Sequence, residues 1–113
     1  MERVVVGAVV RGGKSERVLV VVKHRPTLGA SSLELPCGVM GPAHHDPGTF
    51  ALQLVRERAG LSAVVRRRVP GWTAGHVKVT FVALEIDAAS PENARPLRAL
   101  DARERQHLSL IHI

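Results

Sequence analysis

The residues best suited to chemistry in this 113-residue chain lie between Arg25 and Arg58. Glu57, in the run Arg56-Glu57-Arg58-Ala59-Gly60, is a carboxylate near the end of a helix-like segment. Such a group can hold a hard divalent cation or move a proton. Arg25, followed by Pro26, offers a planar guanidinium suited to phosphate, and Glu34 closes a short strand-like stretch. Cys37 is the single cysteine, which excludes an intramolecular disulfide and a cysteine-rich zinc site. No His–Asn or His–Asp partner can be assigned to it, so it reads as a small buried residue rather than a nucleophile. His44-His45-Asp46 has metal-ligating residue types. Adjacent loop residues seldom converge on one ion, however, and Asp46 has a competing use as a helix cap.

The elements that must position these residues follow from periodicity and turn chemistry. Val4–Arg11 and Arg17–Lys23 are β-branched runs separated by Gly12-Gly13, which predicts a hairpin. Ser32–Leu35 reads as a short strand stopped by Pro36 and Gly38, with a loop over Val39–Asp46. Asp46 as cap, Pro47 in the first turn and Gly60 past the end predict a helix over 47–59. Phe50, Ala51, Leu54 and Val55 give that helix an apolar face. Val64–Val69 and Val77–Ile86 read as two further strands, and Arg98–His107 as a charged helical segment. The order is strand, strand, strand, helix, strand, strand: a mixed sheet with a well-defined helix, hence α/β (α+β).

Composition bounds the function classes. Hydrophobic residues make up 45% of the chain, enough for one core and too many for a disordered tail. The net charge of +6 favours phosphate-bearing ligands. Two Phe, one Trp and no Tyr leave little for base stacking, which argues against nucleic acid as the partner. Arg66-Arg67-Arg68 alternates with valines and reads by default as a solvated face. Trp72, after Pro70-Gly71, could stack on a base or fill the core. Apolar runs such as Val18–Val22 are too short to span a bilayer, and the N-terminus lacks a basic segment before a long apolar run. A cytoplasmic protein is expected.

Glu34-Leu35-Pro36-Cys37-Gly38, leading through a loop into a helix ending Arg56-Glu57-Arg58-Ala59-Gly60-Leu61, resembles the Nudix family. Val22-Lys23-His24-Arg25-Pro26 and Glu34–Gly38 are similar to segments of its ADP-sugar pyrophosphatase branch, as is Asn93-Ala94-Arg95-Pro96 further on. The resemblance implies a Nudix-type mixed sheet and hydrolysis of a nucleoside diphosphate sugar such as ADP-ribose. It also implies Mg²⁺, a catalytic and metal-binding role for Glu57, a ligand carbonyl from Cys37, and substrate contacts from Arg25 and Glu34. The box departs from the family at telling positions. Aligned back from Gly60, the family's R-E-U-x-E-E (U aliphatic) falls on Gln53-Leu54-Val55-Arg56-Glu57-Arg58, and its upstream glutamate falls near His44. Only Glu57 and Val55 keep their types. A lone carboxylate plus a carbonyl is a poor Mg²⁺ site, so impaired or lost hydrolysis is expected. Whether the chain is an enzyme, a hydrolase by resemblance, is left open; a non-catalytic diphosphate-binding module and a non-functional fragment are the alternatives.

The resemblance spans Val4 to about Pro96, and residues 1–107 are expected to be one Nudix-like domain in truncated form. Members of this branch use an N-terminal segment to dimerise, which implies a homodimer for a longer form of the chain. The family also places a second helix on the sheet, and an uncovered sheet face is expected without it. Leu108-Ser109-Leu110-Ile111-His112-Ile113 reads like translated adaptor sequence from a DNA library, so residues 108–113 are expected to be a non-biological tail.

Overall fold

The chain runs through β1 (Glu2–Arg11), β2 (Arg17–Arg25), β3 (Ala30–Glu34), β4 (Cys37–Met40), α1 (Pro47–Ala59), β5 (Val64–Ala74), β6 (Val77–Asp87), α2 (Pro91–Asp101) and β7 (Leu108–His112). The computed structural model describes residues 1–13, 15–25, 30–102 and 107–112, and for residues 24, 25, 30 and 31 the backbone alone.

Helix α1 forms where its two ends are chemically marked. Asp46 is extended (φ −133°, ψ 122°) and its side chain accepts the Thr49 N–H, with Pro47 in the first turn. Gly60 takes a left-handed φ of 71°, and its N–H donates to the Arg56 carbonyl. Both ends therefore satisfy groups that the helix itself leaves unpaired. Ala51, Leu54, Val55 and Ala59 are its buried apolar residues.

The second helix lies earlier than expected, at Pro91–Asp101 rather than Arg98–His107. Residues 103–106 of the expected segment lie outside the described residues. The charge-rich reading missed a buried stripe of Asn93, Leu97 and Leu100, spaced to fall on one helical face. Asn93 is 1% exposed. Its Oδ1 accepts the Ser62 N–H, while its amide donates to the carbonyls of Ser62 and Asp87. One side chain thus ties the start of α2 to the segment after α1 and to the end of β6.

The strands form one seven-stranded sheet with the central order β3-β2-β1-β6-β5. β1 runs parallel to β6 along its whole length, from Glu2↔Lys78 to Arg11↔Asp87. On its other edge β1 has two partners in succession, β4 at residues 2–5 and β2 at Val9 and Val10. Val21 of β2 pairs with both Glu34 and Leu108, so β3 and β7 occupy opposite edges of β2. The segment β3–Pro36–β4 therefore leaves β2 and crosses to β1. The crossing is marked by the Val6 N–H donating to the Pro36 carbonyl at 2.8 Å. Val39 and Met40, expected in a loop, continue this path as the end of β4.

Register assigns side chains to two faces. Val4, Val6, Ala8 and Val10 share one face with Val82, Leu84, Ile86 and Leu19. They form a single core with α1, α2 and Leu108. Val5, Gly7 and Val9 face the other way, in register with Phe81, Ala83 and Glu85. Among the described residues no helix packs on that side. Leu33, Val39, Val64, Val69 and Ile111 are exposed and, by register, lie on this open face. The expected uncovered face is thus present, even though a second helix exists, because α2 joins the same core as α1. Gly7 lies beneath Phe81, where an added Cβ would come within 2.7 Å of the ring. No helix among the described residues is long and apolar enough to cross a membrane.

Candidate functional site

Phe50, Gln53, Leu54, Glu57 and Arg58 recur at the three- and four-residue spacing that makes one helical stripe. That stripe faces β4 across a cleft of about 270 Å³, lined also by Gly38, Val39 and His44. Close approach of helix and strand requires glycine at position 38. A Cβ there would come within 2.9 Å of Leu54 Cδ1 and of Phe50 Cζ. Leu54, which aligns with a family acidic position, is 7% exposed and belongs to the core. Its apolar side chain is therefore a packing element.

Glu57 is exposed and accepts a hydrogen bond from Gln53 Nε2 at 3.1 Å, one turn earlier. His44 is held by the turn before the helix. Its Nδ1 accepts the Gly41 N–H at 3.0 Å, which assigns the ring proton of neutral imidazole to Nε2. The ring also meets Phe50 edge-on, with centroids 4.8 Å apart. Asp46 is committed elsewhere: Oδ2 accepts both the N–H and the hydroxyl of Thr49 at 2.9 Å, and Oδ1 accepts from Arg68. The Thr49 N–H, then its hydroxyl, hold the Asp46 carboxyl below its ordinary pKa, and the Arg68 charge acts in the same direction.

Of the expected site residues described, Glu57 lines the cleft, while Cys37 is the chain neighbour of the lining residue Gly38. The Val6–Pro36 hydrogen bond makes the adjacent Val5↔Cys37 pair a non-hydrogen-bonded one by antiparallel alternation. The Cys37 carbonyl is accordingly directed away from β1. Glu34 is elsewhere, paired with Val21 in the ladder and bridged to Lys23 Nζ at 2.9 Å, and it does not line the cleft. Arg25 is the last residue of β2, opposite Ala30, and its side chain lies outside what is described. Among the described residues no group of three or more His, Cys, Asp or Glu could hold a metal ion. The fit to Mg²⁺ is poor: the cleft presents one carboxylate, already accepting from an amide, beside a guanidinium and an imidazole N–H.

Sequence reasoning placed His44 near the family's upstream glutamate and missed Gln53 as the partner of Glu57. The i, i+4 spacing of Gln53 and Glu57 was the available signal. It also missed the split of the arginine run: Arg66 Nε bonds Glu85 Oε2 at 2.7 Å on the open face, whereas Arg68 reaches Asp46 on the helical side. The Arg66 hydrogen bond holds the Glu85 carboxyl below its ordinary pKa. Trp72 is 67% exposed, so it does not fill the core.

The geometry has counterparts of known structure. A Nudix hydrolase from M. smegmatis, RenU, superposes with a TM-score of 0.53 at 23% identity, over 80% of this chain and 62% of that one. Shewanella oneidensis NrtR gives a TM-score of 0.60 at 12% identity, over 99% of this chain and 52% of that one. At these identities the likeness is one of fold. No family model matches the chain. The fold is Nudix-like, matching that of Nudix hydrolase structures. In sequence the chain is similar to the ADP-ribose pyrophosphatase of Saccharomyces cerevisiae, 28% identical over 100 residues covering 83% of this chain. The chain spans 42% of the length of that curated relative.

Proposed function

We propose that this chain is a Nudix domain that holds nucleoside diphosphate sugars, the ADP-ribose class named by its relative, with metal-dependent hydrolysis impaired or lost. The donor set of the cleft carries the reading: among the described residues Glu57 is the one carboxylate lining it, next to Arg58 and His44. Water attack on a diphosphate ordinarily needs cations to neutralise the charge that builds on the phosphates. A single carboxylate is too few for an octahedral Mg²⁺ site that also keeps its waters. Arg25 and Glu34, on the paired β2–β3 end, are proposed to meet the ligand beyond the cleft.

The test is a combined binding and turnover assay on ADP-ribose with and without Mg²⁺. Binding with no Mg²⁺-stimulated release of AMP is expected. Stimulated release that disappears in Glu57→Gln would replace this reading with a reduced but working metal site built from Glu57 and the Cys37 carbonyl. No binding by a cooperatively folded sample would reject it outright. A purified chain without cooperative unfolding would favour a non-functional fragment.

A further inference from the structure

We propose that Arg58, with the Nε2–H of His44, stands in for the divalent cation, so that the cleft holds a diphosphate directly and without metal. The inference rests on the nucleotide-sugar reading above and specifies how its phosphates are held. Its basis is the mismatch between the residues present and a metal.

At about 270 Å³ the cleft falls below the ~300–1,000 Å³ usual for a whole small-molecule ligand. It suits a part of one, such as a phosphate pair. Its polar lining is donor-rich. Arg58 carries a permanent charge on a planar fork that matches phosphate oxygens. The Nδ1 bond to Gly41 turns His44 into a donor at Nε2, and the Phe50 contact fixes its ring plane. The opposing charge, on Glu57, is answered within the helix by the Gln53 amide. A phosphate entering here meets a guanidinium and an imidazole among the lining groups. A dication entering here meets the same guanidinium.

A plainer account exists for a basic residue at this position, because cations near a helix C-terminus are favoured by its dipole. That account covers Arg56 and Arg58 alike, since both sit in the last turn of α1. Only Arg58 lines the cleft. The pair therefore supplies an internal control, with the same charge, helix and turn but different surroundings.

The experiment is calorimetric titration of the full chain with ADP-ribose and with inorganic pyrophosphate, in EDTA and in Mg²⁺. Wild type is expected to bind both ligands in EDTA, with no gain on adding Mg²⁺. Arg58→Glu is expected to weaken binding in EDTA about 10- to 100-fold, the loss of a charge-assisted phosphate contact. Arg56→Glu is expected to stay within about fivefold, as for a screened surface charge. Both positions are exposed, so both variants should melt like wild type. Wild-type binding that requires Mg²⁺, or equal losses in the two variants, would overturn the inference while leaving nucleotide-sugar binding intact. No binding in either buffer would remove the underlying reading as well.

Discussion

The two faces of the central sheet are nearly equal in composition and opposite in fate. Along β1, Val4, Val6, Ala8 and Val10 enter the core, while Val5 and Val9 alternate with them onto a face with no helix among the described residues. On β6 the same division separates Val82, Leu84 and Ile86 from Val79, Phe81 and Ala83. Strands that are apolar on both sides belong to sheets covered on both sides. The sequence of β1 and β6 is that of such a sheet, and the described structure covers one side of it. An apolar position in a strand thus reports that a face is suited to burial, not that it is buried. Contiguous open apolar surface of this kind favours association and aggregation.

Substitutions can test how unequal the faces are. Val6 is fully buried with no polar partner, so Val6→Asp is expected to cost roughly 4 kcal/mol or more. Urea denaturation should then show no cooperative transition at room temperature. Asn93→Leu removes the tie between α2, the post-α1 segment and β6, leaving the Ser62 N–H without its acceptor; about 2–3 kcal/mol is expected. If α2 is as firmly part of the core face as Leu97 and Leu100 indicate, amide exchange across α2 should accelerate in this variant. Deleting residues 108–113 strips β7 from the edge of β2 and removes Leu108 from the core. A loss of about 2 kcal/mol is expected from one buried leucine, read as a lower melting temperature. An unchanged melting temperature would show that β7 contributes nothing to the fold.

Smaller effects follow at the helix cap and the open face. Asp46→Ala is expected to lower the melting temperature slightly at neutral pH, through loss of the helix cap. Because the folded-state pKa of Asp46 is lowered, its contribution is present above its unfolded value of about 3.8 and is lost as pH falls through the lower folded value. The difference between wild type and variant should therefore shrink below about pH 3.8, measured by denaturation at several pH values. The smallest effect is expected for Val9→Lys on the open face, under about 1 kcal/mol, with less aggregation by light scattering. A cost like that of Val6→Asp would mean the two faces are equally buried in solution.

Much of this architecture was legible because it rests on local chemistry. Asp46, Pro47 and Gly60 marked α1 to the residue, and the valine runs marked β1, β2 and β6. The second helix was displaced because its evidence is tertiary: Asn93 becomes a reason for helix only once Ser62 and Asp87 are beside it. At the site, Glu57 was readable from its position before Gly60. Leu54 read both as a lost ligand and as part of the apolar face, and its place in the core against Gly38 accords with the second. His44 was readable as falling near the family's upstream glutamate, but its orientation was not, because that depends on the bond to the Gly41 N–H and on the Phe50 ring.

The crossing at Pro36 has a mechanical meaning. Backbone hydrogen bonding between the β2–β3–β7 part and the β1–β4–β5–β6 part runs, among the described residues, through a short ladder at Val9↔Val18 and Val10↔Arg17. Besides the β1–β2 and α2–β7 connections, the chain crosses between the parts at Glu34-Leu35-Pro36-Cys37, a segment that belongs to one part before Pro36 and to the other after it. The sheet therefore has a seam with a strap across it. Gly38, the floor of the cleft, lies two residues beyond the strap's midpoint. The short strap thus ties the β2–β3 end of the sheet to the strand that lines the cleft, with Pro36 at the changeover.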